Sequence, residues 1–352
     1  VWLAQLAAFG GPLLMSGVVC VAGAWVAEVA LRCTGTKGLS RNAMLSSWVW
    51  MTGAMGFGAW SATDVDATIS AAPAFSVGVV QANIDVASGR AARLLAHRRY
   101  LELSRQLESE ASLDLLVWPE TAYFAPFPGA FPLSGAIVRG DLGAPLLFGG
   151  VVQSSNAPDQ RFNSALLVDA DGMIRSAYHK RYLIPFAEYV PLSAWWPEWA
   201  RPSSGVGRFA PGDPTDGIML GSTVIAVPIC YEAVRPGYVR GLVRRTRPSL
   251  LVTLANDGWF ENSPEPSIHL RLSRLRAVEH RRYLVRATNT GISAIVDPLG
   301  RVVARTPLAE VATLTGEVRL LEGQTPYGIG GDWPGYASLL WMFWVFVARR
   351  PT

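Results

Sequence analysis

Residues 224–236 read "VIAVPICYEAVRP". Five of the first six residues are apolar and the other, Pro228, is proline, as expected of a strand buried on both faces. The run then delivers a cysteine, Cys230, and two residues later a glutamate, Glu232. The other two cysteines, Cys20 and Cys33, lie in or beside an apolar N-terminal segment, so Cys230 has no cysteine partner in its own region. A lone cysteine at a strand end is more often a small core residue than a nucleophile. To react, a thiol must become a thiolate, which needs a neighbouring base or cation.

Two other strand ends offer such groups. "LLVWPETA" ends in Glu120, and "AYHKRYLIPFAEYVP" carries Lys180 and, eight residues on, Glu188. A carboxylate at Glu120 would take the thiol proton. Lys180 would stabilise the thiolate and the oxyanion formed after attack. A strand–Cys–helix turn would also aim the Tyr231 backbone N–H at that oxyanion. Each group has a plainer role, a loop carboxylate or a solvated charge, and spacing alone does not bring three distant strand ends together.

Around these motifs, short β-rich runs recur at 75–81, 113–119, 145–152, 163–170, 221–229, 249–257, 283–289 and 291–300. Helical patterns fall at 90–110 and 267–280, the second placing Ile268, Leu272 and Leu275 on one apolar stripe. Strands with interspersed helices predict an α/β layered domain over residues 72–325. Residues 201–217, rich in Gly, Pro and Ser, read as a long surface loop.

The flanks differ. Half of the 352 residues are hydrophobic and only 16% are charged, and the apolar excess is concentrated outside the domain. Residues 1–27 and 42–63 carry no charge, and each is long enough to cross a bilayer core, which takes about 20 residues. The first uncharged stretch is too long for a signal peptide and lacks a basic leader. Residues 1–71 are therefore expected to form a membrane segment with helices at about 1–31 and 42–63. The third apolar stretch, in 326–352, has 16 uncharged residues from Trp333 to Ala348, and is expected to span or anchor at the interface. Arg32, Lys37 and Arg41 in the short loop and Arg349 and Arg350 in the tail put those ends on the cytoplasmic side. The domain then faces outward, in an oxidising compartment where an unpaired thiol stands out. The chain opens on Val rather than Met, so helices are not counted from its start.

"VWPETA", "YHKRYLIPFAEYVP", "ICYE" and "LANDGWF", in this order, resemble the carbon–nitrogen hydrolase (nitrilase) superfamily, and most closely its membrane branch, the apolipoprotein N-acyltransferases. The resemblance runs over residues 75–320 and extends to "TPYGIGGDWP". It implies an αββα sandwich and a Glu–Lys–Cys triad. Glu120 would be the general base, Lys180 the oxyanion stabiliser and Cys230 the nucleophile, with Glu188 and Glu232 as supporting carboxylates. Three positions depart from the family pattern: Ala187 stands for a glycine, His179 for an aspartate and Tyr182 for a histidine.

The expected reaction is acyl transfer from a phospholipid, through a thioester on Cys230, to the N-terminal amine of a diacylglyceryl-modified lipoprotein. Loops carrying Phe124, Phe127 and Phe131, and Trp195, Trp196 and Trp199, are candidates to dip into the interface and meet acyl chains. The alternatives are a membrane-tethered amide or nitrile hydrolase, or a shortened conjugal-transfer relative. No cofactor, metal or nucleic-acid partner is expected. The four histidines, His97, His179, His269 and His280, are scattered, and no phosphate-cradling glycine loop occurs. The expected location is the bacterial inner membrane, with the catalytic domain on its periplasmic face.

Overall fold

A computed structural model describes the chain except residues 35–40, 85–88, 158, 192–208, 214–216, 261–262 and 349–352. Two sheets lie face to face. The first runs, edge to edge, Ala312–Arg319, Ala74–Gln81, Leu115–Val117, Leu146–Gln153, Arg161–Val168, Met173–His179 and Leu133–Ser134. The strand Tyr123–Pro128 joins the side of Leu146–Gln153. The second sheet runs Val302–Arg305, Ala294–Val296, Leu284–Thr288, Leu250–Ala255, Thr223–Ala226 and Ile218–Leu220.

The apolar runs read from sequence are the strands at the centre of both sheets, where parallel pairing and cover on two faces demand continuous hydrophobic side chains. Leu115–Val117 and Leu250–Ala255 are buried throughout. Between the sheets, Val77, Val79, Val117 and Leu147 pack with Ile225, Leu251 and Val285. Outside the first sheet, Tyr100 and Leu107 of the helix Gly89–Glu110 pack on Leu116, Trp118 and Phe148. Outside the second, helices Pro236–Thr246 and Glu265–His280 complete the four layers. The αββα sandwich expected from the sequence is the fold observed.

Two local expectations are corrected. Residues 123–128, read as a loop entering the interface, form a strand, and Phe127 is only 5% exposed, packed against Tyr123 and Phe148. Phe127 is therefore core, not a lipid contact. Phe124 and Phe131 are partly buried against the same cluster, and Trp195, Trp196 and Trp199 lie outside the described residues. In the helix Glu265–His280 the stripe expected to face inward is turned out: Ile268 is 50% and Leu272 43% exposed. The buried side carries His269, Ser273, Arg276, Glu279 and His280 instead. Arg276 is ion-paired with Glu279 at 2.5 Å, which offsets part of the cost of burying both charges.

The apolar flanks form helices Leu6–Cys33, Arg41–Ala71 and Trp333–Ala348. Among the described residues, one helical stretch, Trp2–Cys33, is both long and apolar enough to cross a membrane. Arg41–Ala71 is longer than expected, but its Gly, Ser and Thr residues, with Asp64 and Asp66 near its end, keep it from meeting the same standard. Trp333–Ala348 is apolar but has 16 residues.

All three helices are rooted on the sandwich. The N-terminal one kinks at Gly10–Gly11 before Pro12, with Leu6–Ala8 and both glycines buried. Arg281, just past the helix Glu265–His280, donates from Nη1 to Gln5 Oε1 and from Nη2 to Ser61 Oγ, at 2.5 and 2.7 Å. Arg301 reaches Asp66 at 2.6 Å, and Trp333 Nε1 donates to Phe9 O at 3.1 Å. Gly11 has φ +69° with ψ near −168°, a region open essentially to glycine alone, and a Cβ there would run into the Tyr327 ring. Gly11→Ala should destabilise this junction by about 1–3 kcal/mol, read as a lower unfolding midpoint in detergent.

Candidate active site

Three strand ends converge at one rim of the sandwich. Glu120 follows the buried Trp118–Pro119 step, with Gly149 so close alongside that a Cβ there would sit 2.5 Å from Glu120 Cα. Lys180 leaves the strand Met173–His179 with its N–H donating to Asn163 O at 2.8 Å. Cys230 opens a 3-10 turn, Cys230–Val234, with φ +50°, the constrained backbone expected of a nucleophile turn.

Lys180 is 1% exposed and bridges two carboxylates, Glu120 Oε1 at 3.1 Å and Glu188 Oε1 at 2.8 Å. Asn163 Nδ2 donates to both, at 2.7 and 2.9 Å, and the Ile184 N–H anchors the other Glu188 oxygen at 2.8 Å. Burial alone would pull the Lys180 ammonium down. The charges of Glu120, Cys230 and Glu188 together outweigh it and hold it well above the ordinary lysine range, so it stays charged.

The Cys230 thiol, 7% exposed, is pushed far up by burial and further by Glu120, while Lys180 offsets part of this. The resting site therefore holds a neutral thiol beside a charged lysine. Glu120 is the carboxylate whose charge acts most strongly on the thiol, and among the described residues no backbone N–H pins it as Ile184 N–H pins Glu188.

Glu232 is a buried hub. Its Oε2 accepts from Tyr178 OH at 2.6 Å and Ile229 N at 2.9 Å, and its Oε1 from the backbone N–H groups of Arg181 and Tyr182 at 2.7 and 3.1 Å. One carboxylate thus binds the segment leaving Lys180 to the segment entering Cys230. Tyr231 is 41% exposed, at the mouth of the turn.

Behind Cys230 lies a group the sequence reading did not single out. His269 Nε2 lies 3.3 Å from Cys230 O, its Nδ1 lies 3.0 Å from Asp257 Oδ1 and 3.1 Å from Arg286 Nη2, and Arg286 Nη2 donates to Asp257 Oδ2 at 2.8 Å. Burial raises the Asp257 carboxyl, but Arg286 and His269 together outweigh it and hold it below its usual range. Asp257, Glu265 and His269 bring ligand atoms within 4.8 Å of one another. The Arg286 guanidinium already fills their negative side, so the cluster is a brace rather than a cation site. Asp257 stands in the quoted "LANDGWF" and His269 opens the helical run, so both were visible as residues, though not as partners.

The three departures from the family pattern find local explanations. The left-handed residue of the Glu188 turn is Phe186, φ +64°, so alanine at 187 meets no such strain. Tyr182 lies under Arg235, whose guanidinium carbon is 4.0 Å from the ring centre. His179 stacks on Phe162 at 4.4 Å, with Nδ1 2.7 Å from Ser164 Oγ.

Residues 76–325 match the carbon-nitrogen hydrolase family model, and the chain belongs to that family. It is 35% identical over 264 residues to the apolipoprotein N-acyltransferase of Geobacter metallireducens, covering 73% of this chain and 50% of the relative. With the apolipoprotein N-acyltransferase of Azotobacter vinelandii it shares 33% identity, covering 99% of this chain and 67% of that one. The chain thus spans between half and two thirds of these relatives' length. In fold it is similar to Saccharomyces cerevisiae Nit3, a member of branch 10 of the nitrilase superfamily (TM-score 0.54, 16% identity, 70% and 90% coverage). It is also similar to the carbon-nitrogen hydrolase of Helicobacter pylori G27 (TM-score 0.53, 16% identity, 79% and 95% coverage).

Removing the hub should be costly. Glu232→Ala strands buried N–H donors and should lose at least about 3 kcal/mol of stability, with Glu232→Gln losing less, measured by thermal unfolding. His179 gives a pH signature. Burial lowers it to about 4, below its unfolded value of 6.5, so the folded state resists protonation. Its contribution is complete above pH 6.5 and is lost as pH falls toward 4. The fall in unfolding midpoint between pH 7 and 4.5 should be smaller in His179→Gln than in the parent.

Proposed function

We propose that this chain is an acyltransferase moving a fatty acyl group from a membrane phospholipid to the N-terminal amine of a diacylglyceryl-modified lipoprotein. The observation that carries this reading is the alignment of 99% of the chain, apolar helices included, with an apolipoprotein N-acyltransferase. The Glu120–Lys180–Cys230 convergence supplies matching chemistry.

In the first half-reaction Cys230 Sγ attacks the ester carbonyl carbon of the donor as Glu120 takes the thiol proton. Lys180 and the Tyr231 N–H stabilise the oxyanion. The bond from that carbon to the glycerol oxygen breaks, Glu120 returns the proton to this oxygen, and a lysophospholipid leaves. In the second half the lipoprotein amine attacks the thioester carbon and Glu120 accepts one amine proton. The carbon–sulfur bond breaks, Cys230 regains a proton, and an amide is released.

The membrane setting supports this assignment. The helices Leu6–Cys33 and Trp333–Ala348 both leave the sandwich at their N-terminal ends, so Arg32 and the end of the second helix project away from it. With those ends cytoplasmic, residues 72–325 form a catalytic domain at the outer face and the flanks 1–71 and 326–352 anchor it. The buried surroundings of Lys180 and Cys230 favour an amine over water as second acceptor.

Protein in detergent, mixed with phospholipid, should show one acyl chain added to Cys230 by intact mass. Adding a lipopeptide with a free N-terminal amine should then discharge it to an N-acylated product, with lysophospholipid formed in equal amount. Cys230→Ala should show no adduct, and Glu120→Gln should slow its formation by about 10²–10⁴-fold. Free fatty acid without acylated peptide would instead make the chain a tethered hydrolase and overturn the proposal.

A further inference from the structure

Beside the catalytic turn lies a second feature, which neither the triad nor the brace uses. A cleft of about 620 Å³ opens between the segment after Lys180 and the start of the helix Pro236–Thr246. Its walls carry Arg181 and Tyr182 on one side and Arg235, Tyr238 and Arg245 on the other. Arg181 is exposed and Arg235 half-buried, and neither forms an ion pair among the described residues. Arg235 is held instead over the Tyr182 ring, with its guanidinium carbon 5.7 Å from the Tyr231 ring centre. The nearest buried carboxylate, Glu232, is already bound by four donors beneath Tyr178. Tyr178 OH in turn bonds Tyr238 OH.

The cleft therefore concentrates positive charge that the protein does not itself neutralise at Arg181 and Arg235. The N-terminus of an 11-residue helix at Pro236 adds its partial positive end. Such a set suits a phosphodiester, which the planar guanidinium groups can engage in pairs. Its position is equally specific. Arg181 follows Lys180 directly, and Arg235 caps the short turn that Cys230 opens, about 10 Å along at ~2 Å per residue. In a glycerophospholipid the ester carbonyl and the phosphate are separated by one glycerol unit, and the Arg235 guanidinium lies 5.7 Å from the ring of Tyr231, the residue after Cys230.

We propose that this cleft binds the phosphodiester of the phospholipid donor and so presents the neighbouring ester to Cys230. The inference rests on the acyltransferase reading and adds to it the feature that selects phospholipid over uncharged acylglycerol. Arg181, Arg235 and Arg245 make the selection. They act on donor binding, not on bond making, so the effect falls on KM more than on kcat.

The test compares two donors with identical acyl esters, dioleoylphosphatidylglycerol and dioleoylglycerol, in neutral detergent micelles, scoring thioester formation on Cys230 by mass. The parent should favour the phospholipid in kcat/KM by at least tenfold. The R235Q/R245Q double variant should lose most of that preference through a raised phospholipid KM, whereas R244Q, altered at an exposed arginine outside the cleft, should keep it. Inorganic phosphate should compete with the phospholipid in the parent and much less in the double variant, which separates recognition of the phosphate group from recognition of the lipid as a whole. A double variant that retains the full preference, or remains equally sensitive to phosphate, overturns the inference while leaving the acyltransferase reading intact. A parent that forms no thioester with either donor overturns the acyltransferase reading, and the inference falls with it.

Discussion

A single ammonium sealed from water between two carboxylates sets the terms for everything around it. Lys180 can stay charged in so dry a place because Glu120 and Glu188 flank it and Asn163 stitches the two together. The arrangement holds one negative charge more than it needs to neutralise the lysine. Burial, with the Glu120 charge adding to it, keeps the Cys230 thiol protonated at rest. Both sheets contribute: Glu120, Asn163 and Lys180 come from the first, and Cys230 follows a strand of the second. The sandwich interface is thus what brings Glu120, Lys180 and Cys230 to one rim.

The parts of this plan that were legible in the sequence are those written in continuous apolar residues. Runs such as "LLVWP" and "VIAVPI" have one plausible use in an α/β domain, and the strand ends they define carry Glu120 and Cys230. The helix Glu265–His280 shows where this logic fails. Its Ile268–Leu272 stripe faces out because the inward side mixes Leu270, Ala277 and Val278 with His269 and the Arg276–Glu279 ion pair, and no periodicity distinguishes a paired buried arginine from a solvated one. Asn163 and Tyr178 were overlooked for a related reason. Each sits on a strand with polar or exposed neighbours, although two-residue alternation back from Lys180 puts Tyr178 on the same side of its strand. Phe127 was misplaced because "YFAPFP" contains prolines that suggest a loop, yet it forms a strand along part of one neighbour.

Glu232 and the Asp257–His269–Arg286 brace perform complementary tasks. The glutamate ties the backbone on either side of the nucleophile to the lysine's segment, and the brace fixes the nucleophile's own carbonyl from behind. Cys230 holds a left-handed backbone between them, a conformation that persists where surrounding bonds over-determine it. Both would be hard to infer from motif order alone, because the side chains they pair lie 12 to 54 residues apart.

Arg281 gives this architecture a mechanical character. The same guanidinium grips Gln5 and Ser61, one in each of the first two apolar segments, and sits at the end of the helix whose other end carries His269 against Cys230. That helix is therefore a strut between the lipid-facing part of the chain and the reactive sulfur's backbone. Tilting the apolar segments against the sandwich would pull on the same helix that holds the Cys230 carbonyl from behind.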